Sequence, residues 1–387
     1  MTEDIAVFTI YDEKYVLMHI KDGRAEHIYV YDSLDEMPIG SIINCRAERG
    51  VDNIDATFVQ YDKNRTGFIN KTIKGQTVCP LMLKKEAYDD KKALFTDKLS
   101  ITGKYAVVSD DRFVKVSKKI PKEERDAITE RFTALSDEYD IGIIIRTSAY
   151  YDENGLKQAE EEIVRIKDLL DDIRKRSEHT PQYTVLYSPL PSFATDIIYL
   201  TGCGISQIVT DSEEIKSVLD SKYDTLSGPV ILSDRVSLRF YEDKLLSLCN
   251  LYGFNAKISE ALSKKVWLKS GAYITIEHTE SLYAVDVNSA SNGKKTDKEE
   301  TFLSVNKEAA VEIARQLVLR NMSGMIIIDF INMSREDSYD ELEKTIRDAI
   351  SLDRETTRFV GFTALKLCEM TRSRGGRSLY SALRGSK

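Results

Sequence analysis

Two apolar runs in this chain end on an acid. The stretch SLYAVDVNSASNG, residues 281–293, reads as a strand until it sets down Asp286, Asn288 and Ser289, and GMIIIDFINM, residues 324–333, runs straight into Asp329. Carboxylates held side by side repel, which raises a pKa or calls for a cation. With oxygen donors and no His or Cys beside them, the natural occupant is Mg²⁺, with Mn²⁺ as the alternative. Asn288, two residues beyond Asp286, points to the same side of an extended chain and can orient one carboxylate oxygen without adding charge. Taken singly, each Asp equally suits the cap of a turn or helix. The chemistry therefore depends on whether the fold brings both acids together.

The segment between them supplies a reason to expect that it does. In KEETFLSVNKEAAVEIARQLVLRN, Ala310, Ile313, Ala314 and Leu317 recur at the spacing of one helix face. Strand, helix and strand within about fifty residues make a βαβ unit, whose two strands run parallel in one sheet. Both acids then lie at the same edge, the carboxyl ends of parallel strands, where α/β sheets hold ligands.

Composition narrows the class of protein. At 387 residues, with 42% hydrophobic and 30% charged residues, the chain is a globular protein too long for one ordinary core, and two or more lobes are expected. The N-terminal MTEDIAVFTIYDEKY is too charged for a signal or transit peptide, and no apolar run reaches the length of a membrane span. A cytoplasmic protein is expected. The five cysteines (Cys45, Cys79, Cys203, Cys249, Cys368) show no C-x-x-C spacing and the four histidines no metal-binding pattern, so neither disulfides nor zinc are expected. A net charge of −8 argues against general coating of nucleic acid, yet from Lys366 onward two Lys and four Arg face the single acid Glu369.

Along the chain, residues 5–31 alternate as strands do, with KDGR as a hairpin signal. From Pro38 onward, short strand-like runs separated by Gly, Asn and Asp suggest a small closed β barrel, an OB fold before others, or else the β-rich edge of a larger sheet. Within it Phe58 and Phe68 sit beside Lys63, Arg65 and Lys71, the pairing of aromatic and cation that single-stranded nucleic acid needs, although each Phe alone also suits a core. A helix opens at Pro121, a strand follows in IGIIIRTSA, and a long charged helix buries Ile163, Ile166, Leu170 and Ile173. Pro181, Pro189 and Pro191 mark a boundary near 180–192, and Thr210 with Glu213 reads as a capping box opening another helix.

The long runs SGAYITIEHTESLYAVDVNSASNG, EETFLSVNKEAAVEIARQLVLRNMSGMIIIDFINM and LKLCEMTRSR resemble the catalytic core of the ribonuclease E/G family. ATFVQYD, GFIN, SITGKYAVV and IIIRTSA extend the likeness over nearly the whole chain. The resemblance implies an α/β multidomain fold. A ribonuclease-H-like lobe (1–36 and 192–261) carries an inserted OB-type RNA-binding barrel (37–96) and a 5′-sensor region (97–191), and an α/β nuclease lobe (262–387) follows. It implies an endoribonuclease that cuts single-stranded RNA to 5′-phosphate and 3′-hydroxyl ends, in RNA processing or turnover. Asp286 and Asp329 match the family's ligands for the catalytic Mg²⁺, and Asn288 its neighbouring site asparagine. Phe58 and Phe68 match the barrel's stacking aromatics, Lys85 and Lys91 its RNA-contacting lysines, and Gly103, Val107, Arg146 and Thr147 the 5′-monophosphate sensor. An Arg fork beside a hydroxyl suits a terminal phosphate on its own chemistry; without the family, Arg146 reads as a surface cation.

The departures from the family pattern matter too. Lys118 and Lys119 replace a pair of sensor arginines, which keeps charge but loses bidentate geometry. Lys294 and Lys295 are the cations left where the catalytic loop of the family has arginines, and Asn332 stands where an acid is often found. No C-P-x-C motif occurs, so a zinc-linked tetramer is not expected and a homodimer stays open. Two readings follow from the sequence: a metal-dependent endoribonuclease, or an RNA-binding protein that keeps the scaffold without turnover.

Overall fold

The computed structural model describes residues 4–51, 55–73, 75, 77–87, 92–226, 228–289, 298–373 and 375–384. The chain forms two compact units, one of Met1–Leu34, Asp196–Asp220 and Leu232–Lys387, the other of Asp35–Thr195 and Ser221–Ile231. Strands β1 (Asp4–Tyr11), β2 (Lys14–Lys21) and β3 (Arg24–Tyr31) open the first unit as an antiparallel meander. Both connections have positive φ at their two central residues, Asp12 (50°) with Glu13 (62°) and Asp22 (50°) with Gly23 (78°). This is the turn whose twist matches the flanking strands, and the second is the hairpin expected at KDGR.

In the second unit, β4 (Ile42–Val51), β5 (Ala56–Asp62), β6 (Arg65–Ile69), β7 (Val78–Lys85) and β8 (Ala93–Thr96) pair in the order β4-β5-β6-β8-β7, and β7 returns to β4. The short strands thus close into a five-stranded barrel filled by Ile43, Cys45, Val59, Ile69, Leu81, Leu83 and Phe95. They are not the edge of a larger sheet. A second sheet, in the order β11-β12-β10-β9, is built from β9 (Ser100–Thr102), β10 (Ala106–Ser109), β11 (Phe113–Val116) and β12 (Gly142–Ile145). Helix α1 (Lys122–Tyr139) crosses from β11 to the parallel β12, then α2 (Thr147–Tyr151) and α3 (Gly155–His179) follow. Ile163, Ile166, Leu170 and Ile173 of α3 are buried, as their spacing requires, among Ile101, Val108, Phe132, Ile143 and Ile145. Strand β13 (Val185–Tyr187) adds to β4.

Helix α4 (Ser192–Cys203) and β14 (Gln207–Thr210) return the chain to the first unit. Helix α5 (Glu213–Asp220) is capped by Ser212, whose hydroxyl accepts from Ile215 N at 3.4 Å. The capping box expected at Thr210 lies two residues too early, because Thr210 is the buried end of β14 and its hydroxyl accepts from Ser212 N at 3.2 Å. A hairpin, β15 (Lys222–Thr225) and β16 (Gly228–Ile231), belongs to the second unit. Strand β17 (Ser237–Phe240) then completes a mixed sheet, β17-β14-β1-β2-β3, on which α6 (Leu248–Leu251) and α7 (Phe254–Leu262) pack through Leu248, Phe254 and Ile258.

The last part of the first unit holds a six-stranded sheet, β18-β19-β20-β21-β23-β22. Its strands are β18 (Lys265–Trp267), β19 (Tyr273–His278), β20 (Leu282–Asn288), β21 (Gly324–Asp329), β22 (Thr357–Phe362) and β23 (Cys368–Arg372). Helices α8 (Lys298–Leu319) and α9 (Glu336–Ile350) cover one face, burying Val285, Val287, Ile326 and Ile328 against Ile313, Leu317, Leu342 and Ile346. Helix α10 (Leu379–Arg384) returns to the core around β1–β3 through Leu379. Among the described residues, no helix is long and apolar enough to cross a membrane.

Candidate active site

Strands β20 and β21 are parallel, with Asp286 and Asp329 as direct partners in register. Neighbouring strands lie about 4.8 Å apart, so the two acids project side by side. Alternation decides which way: Val285, Val287 and Ile328 face the helices, while Asp286 and Asp329 are exposed on the opposite face. Asn288 shares that face and donates from Nδ2 to Asp286 Oδ2 at 2.6 Å. The three residues proposed from the apolar runs therefore converge. Among the described residues no group of three or more His, Cys, Asp or Glu gathers for a metal. Two carboxylates with an amide beside them nevertheless fit Mg²⁺, which binds through one or two carboxylates and fills its remaining positions with water or phosphate oxygens.

The backbone just past Asp329 is fixed by residues that sequence reasoning did not select. Asn306 of α8, fully buried, donates to Ile331 O at 2.8 Å and accepts from Ile331 N at 3.0 Å. Glu299 accepts from Ser334 Oγ at 2.7 Å and from the amides of Ser334 and Arg335 at 3.0 Å each. Bonds from the Ser334 hydroxyl and these two amides hold the Glu299 carboxyl down at about 2. The available signal was Asn306 itself, a polar residue on a helix face otherwise marked by Val305, Ala309, Ala310 and Ile313.

On the barrel, Phe58 and Phe68 are cross-strand partners, Phe68 pairs with Leu94, and Leu94 pairs with Lys85. One row across four strands thus carries both aromatics and a lysine, while Val59 and Ile69 beside them fill the interior. Phe58 is exposed and the Lys92 ammonium lies 4.9 Å from its ring centroid, a cation–π contact that sequence reading missed. Lys91 lies outside the described residues, as do Lys294 and Lys295.

The residues that the resemblance matches to a 5′-phosphate sensor gather at one edge of the β11-β12-β10-β9 sheet. Gly103 follows β9, Arg146 and Thr147 follow β12, and Lys118 and Lys119, both exposed, follow β11, which is parallel to β12. Val107 lies in β10, half-buried, between Thr102 and Ile144. Arg146 Nη1 donates to the carbonyls of Gly103 and Lys104, and the hydroxyls of Ser117 and Thr147 are 2.9 Å apart. Beneath this loop the buried Glu162 accepts from the amides of Lys104, Tyr105 and Ala106 at 2.7–3.0 Å. A Cβ on Gly103 would sit 2.3 Å from the Glu162 carboxyl carbon, so any side chain there would displace that carboxylate from its amides.

The basic C-terminal stretch is less available than its composition suggests. Arg372 is buried, donating to Asp353 at 2.7 and 3.1 Å, to Asn321 Oδ1 at 2.8 Å and to Met322 O at 3.1 Å, and Arg377 binds Asp32 at 2.6 Å.

The model of the ribonuclease E/G family matches residues 100–375. Ribonuclease E of Haemophilus influenzae is 30% identical over 356 residues, 84% of this chain and 37% of that protein. Ribonuclease E of Nostoc sp. is 31% identical over 374 residues, 88% and 52% respectively, and ribonuclease G of Escherichia coli K12 is 28% identical over 394 residues, 94% and 78%. The chain spans a third to a half of the length of these ribonuclease E relatives. With 276 of its 387 residues under one family model, the chain belongs to the ribonuclease E/G family.

Proposed function

We propose that this chain is a metal-dependent endoribonuclease that cleaves single-stranded RNA to 5′-phosphate and 3′-hydroxyl ends, acting in cytoplasmic RNA processing or turnover. The observation that carries this reading is the register pairing of Asp286 with Asp329 on an exposed sheet face, with Asn288 bonded to Asp286. Asp286 and Asp329 would hold Mg²⁺, or Mn²⁺, which when bound activates a water and offsets charge on the phosphodiester. Asn288 fixes the orientation of Asp286, while Asn306 and Glu299 fix the backbone beyond Asp329. Positioning of this kind decides how well a reacting phosphate is aligned.

The remaining parts of the proposal concern RNA capture. Phe58 and Phe68 stack bases on an OB-type barrel (37–96), with Lys85, Lys91 and Lys92 beside the strand. Gly103, Val107, Lys118, Lys119, Arg146 and Thr147 form the 5′-phosphate sensor within 97–191. Residues 1–36 with 192–261 make the ribonuclease-H-like lobe, and 262–387 the nuclease lobe.

The test is cleavage of a 5′-labelled, single-stranded AU-rich oligonucleotide with Mg²⁺ and with EDTA. Cleavage in Mg²⁺ alone, lost in Asp286→Asn while RNA affinity persists, is the expected result. Unchanged cleavage by the variant would reject the assignment, and RNA bound but intact in both conditions would favour a binding protein without turnover.

A further inference from the structure

The exposed face that carries Asp286 and Asp329 also carries an aromatic cluster. Register places Trp267 of β18 opposite Tyr273 of β19, and Tyr273 opposite Asn288 of β20. The adjacent row runs Lys265, Thr275, Asp286 and Asp329. Residues two apart on a strand share a face, so Lys265 and Trp267 stand on the same side as the acids while Val266 between them is buried. Trp267 is 64% exposed, which for the largest apolar side chain forfeits burial that a core position would supply. Its ring centroid lies 5.3 Å from that of Tyr273, and the Lys265 ammonium sits 3.9 Å from the first ring and 3.6 Å from the second.

We propose that Trp267, Tyr273 and Lys265 form a base-stacking platform beside the acid pair, seating a nucleotide close to the scissile phosphate. This deepens the endoribonuclease reading and rests on it. A single strand needs a π surface for each captured base and a cation for the adjoining phosphate, and this cluster has both. The spacing suits that use: two strands over at about 4.8 Å each and two residues along at about 3.3 Å each, Trp267 lies roughly 12 Å from Asp286. The occupant is therefore the same RNA strand whose phosphate meets the two carboxylates. The platform is separate from the aromatic row on the barrel, which belongs to the other unit.

Trp267 is the only tryptophan in the chain, so its emission reports on this position alone. The experiment titrates a single-stranded AU-rich RNA into the full chain in EDTA, reading tryptophan emission and, with labelled RNA, anisotropy. Quenching that saturates with the same midpoint as anisotropy is expected. Trp267→Ala should weaken binding about 5- to 150-fold, the range for one lost base stack, and raise KM in Mg²⁺, with Trp267→Phe restoring most of the loss. Lys265→Ala should lower the salt slope of binding by about 0.7. Unchanged emission when anisotropy shows saturation, or wild-type affinity in Trp267→Ala, would overturn the platform. So would a loss confined to melting temperature, the result expected of a cluster that only shields the edge strand. Those outcomes leave the acid assignment standing, because Asp286→Asn tests it separately in the cleavage assay. An RNA that does not bind at all overturns both.

Discussion

At the residue scale, the site depends on side chains that never meet a substrate. Glu299 is half-buried, and its carboxylate takes three hydrogen bonds from Ser334 and Arg335, in the loop that follows Asp329. Its folded value near 2 lies below the ordinary 4.5, so its bonds contribute above that ordinary value and are lost as pH falls from 4.5 through 2. The amide shifts of Ser334 and Arg335 should titrate with a midpoint near 2; a midpoint at 4.5 would show that the carboxylate is free. Glu299→Ala should lower kcat about tenfold or more while changing KM little, since it loosens alignment and removes no RNA contact. Glu162 acts similarly beneath the loop that follows Gly103, and a side chain on Gly103 would push its carboxylate away from these three amide partners.

At the element scale, the six-stranded sheet relies on one buried ion pair to tie its end to the loop after α9. Burial alone would raise the Asp353 carboxyl, but hydrogen bonds from Arg372 and Thr357 and the guanidinium charge hold it below its ordinary 3.8. Removing one partner strands the other, so Arg372→Ala should lower the unfolding free energy by about 3–5 kcal/mol in urea denaturation. The wild-type contribution is present above pH 3.8 and is lost as pH falls through the lower folded value, so the variant should show a flatter acid limb. This pair also marks where sequence reading stops. The helix α8 and the strands it joins were legible because their apolar spacing is local, and the I′ turn at Asp22 and Gly23 because its residues announce positive φ. A closed barrel was legible in the rhythm of short strand runs, but the pairing that closes it, β7 on β4, and the matching of Lys85 to Leu94 depend on partners far along the chain. Arg372 and Glu162 were illegible for the same reason: each is satisfied by groups distant in sequence, and until those are known a charged residue reads as surface.

At the scale of the whole molecule, charge has to be reconciled with the RNA substrate proposed above. A protein of net charge −8 repels RNA at long range, so capture depends on cations concentrated at particular places. The C-terminal stretch supplies fewer than its sequence suggests, because Arg372 and Arg377 are committed to Asp353 and Asp32. The barrel row keeps Lys85 exposed next to Leu94, and Lys92 lies over Phe58. With Lys91 included, these lysines would release about one counterion per phosphate met, which for a single strand adds about 0.7 each to the slope of log affinity against log salt. Replacing Lys85, Lys91 and Lys92 together with alanine should therefore lower that slope by about 2, measured by anisotropy between 50 and 200 mM salt, about the range where such losses are steep. A wild-type slope near zero, or one unchanged in the triple variant, would show that RNA is held elsewhere and that the barrel row of aromatics and lysines is a feature of folding alone.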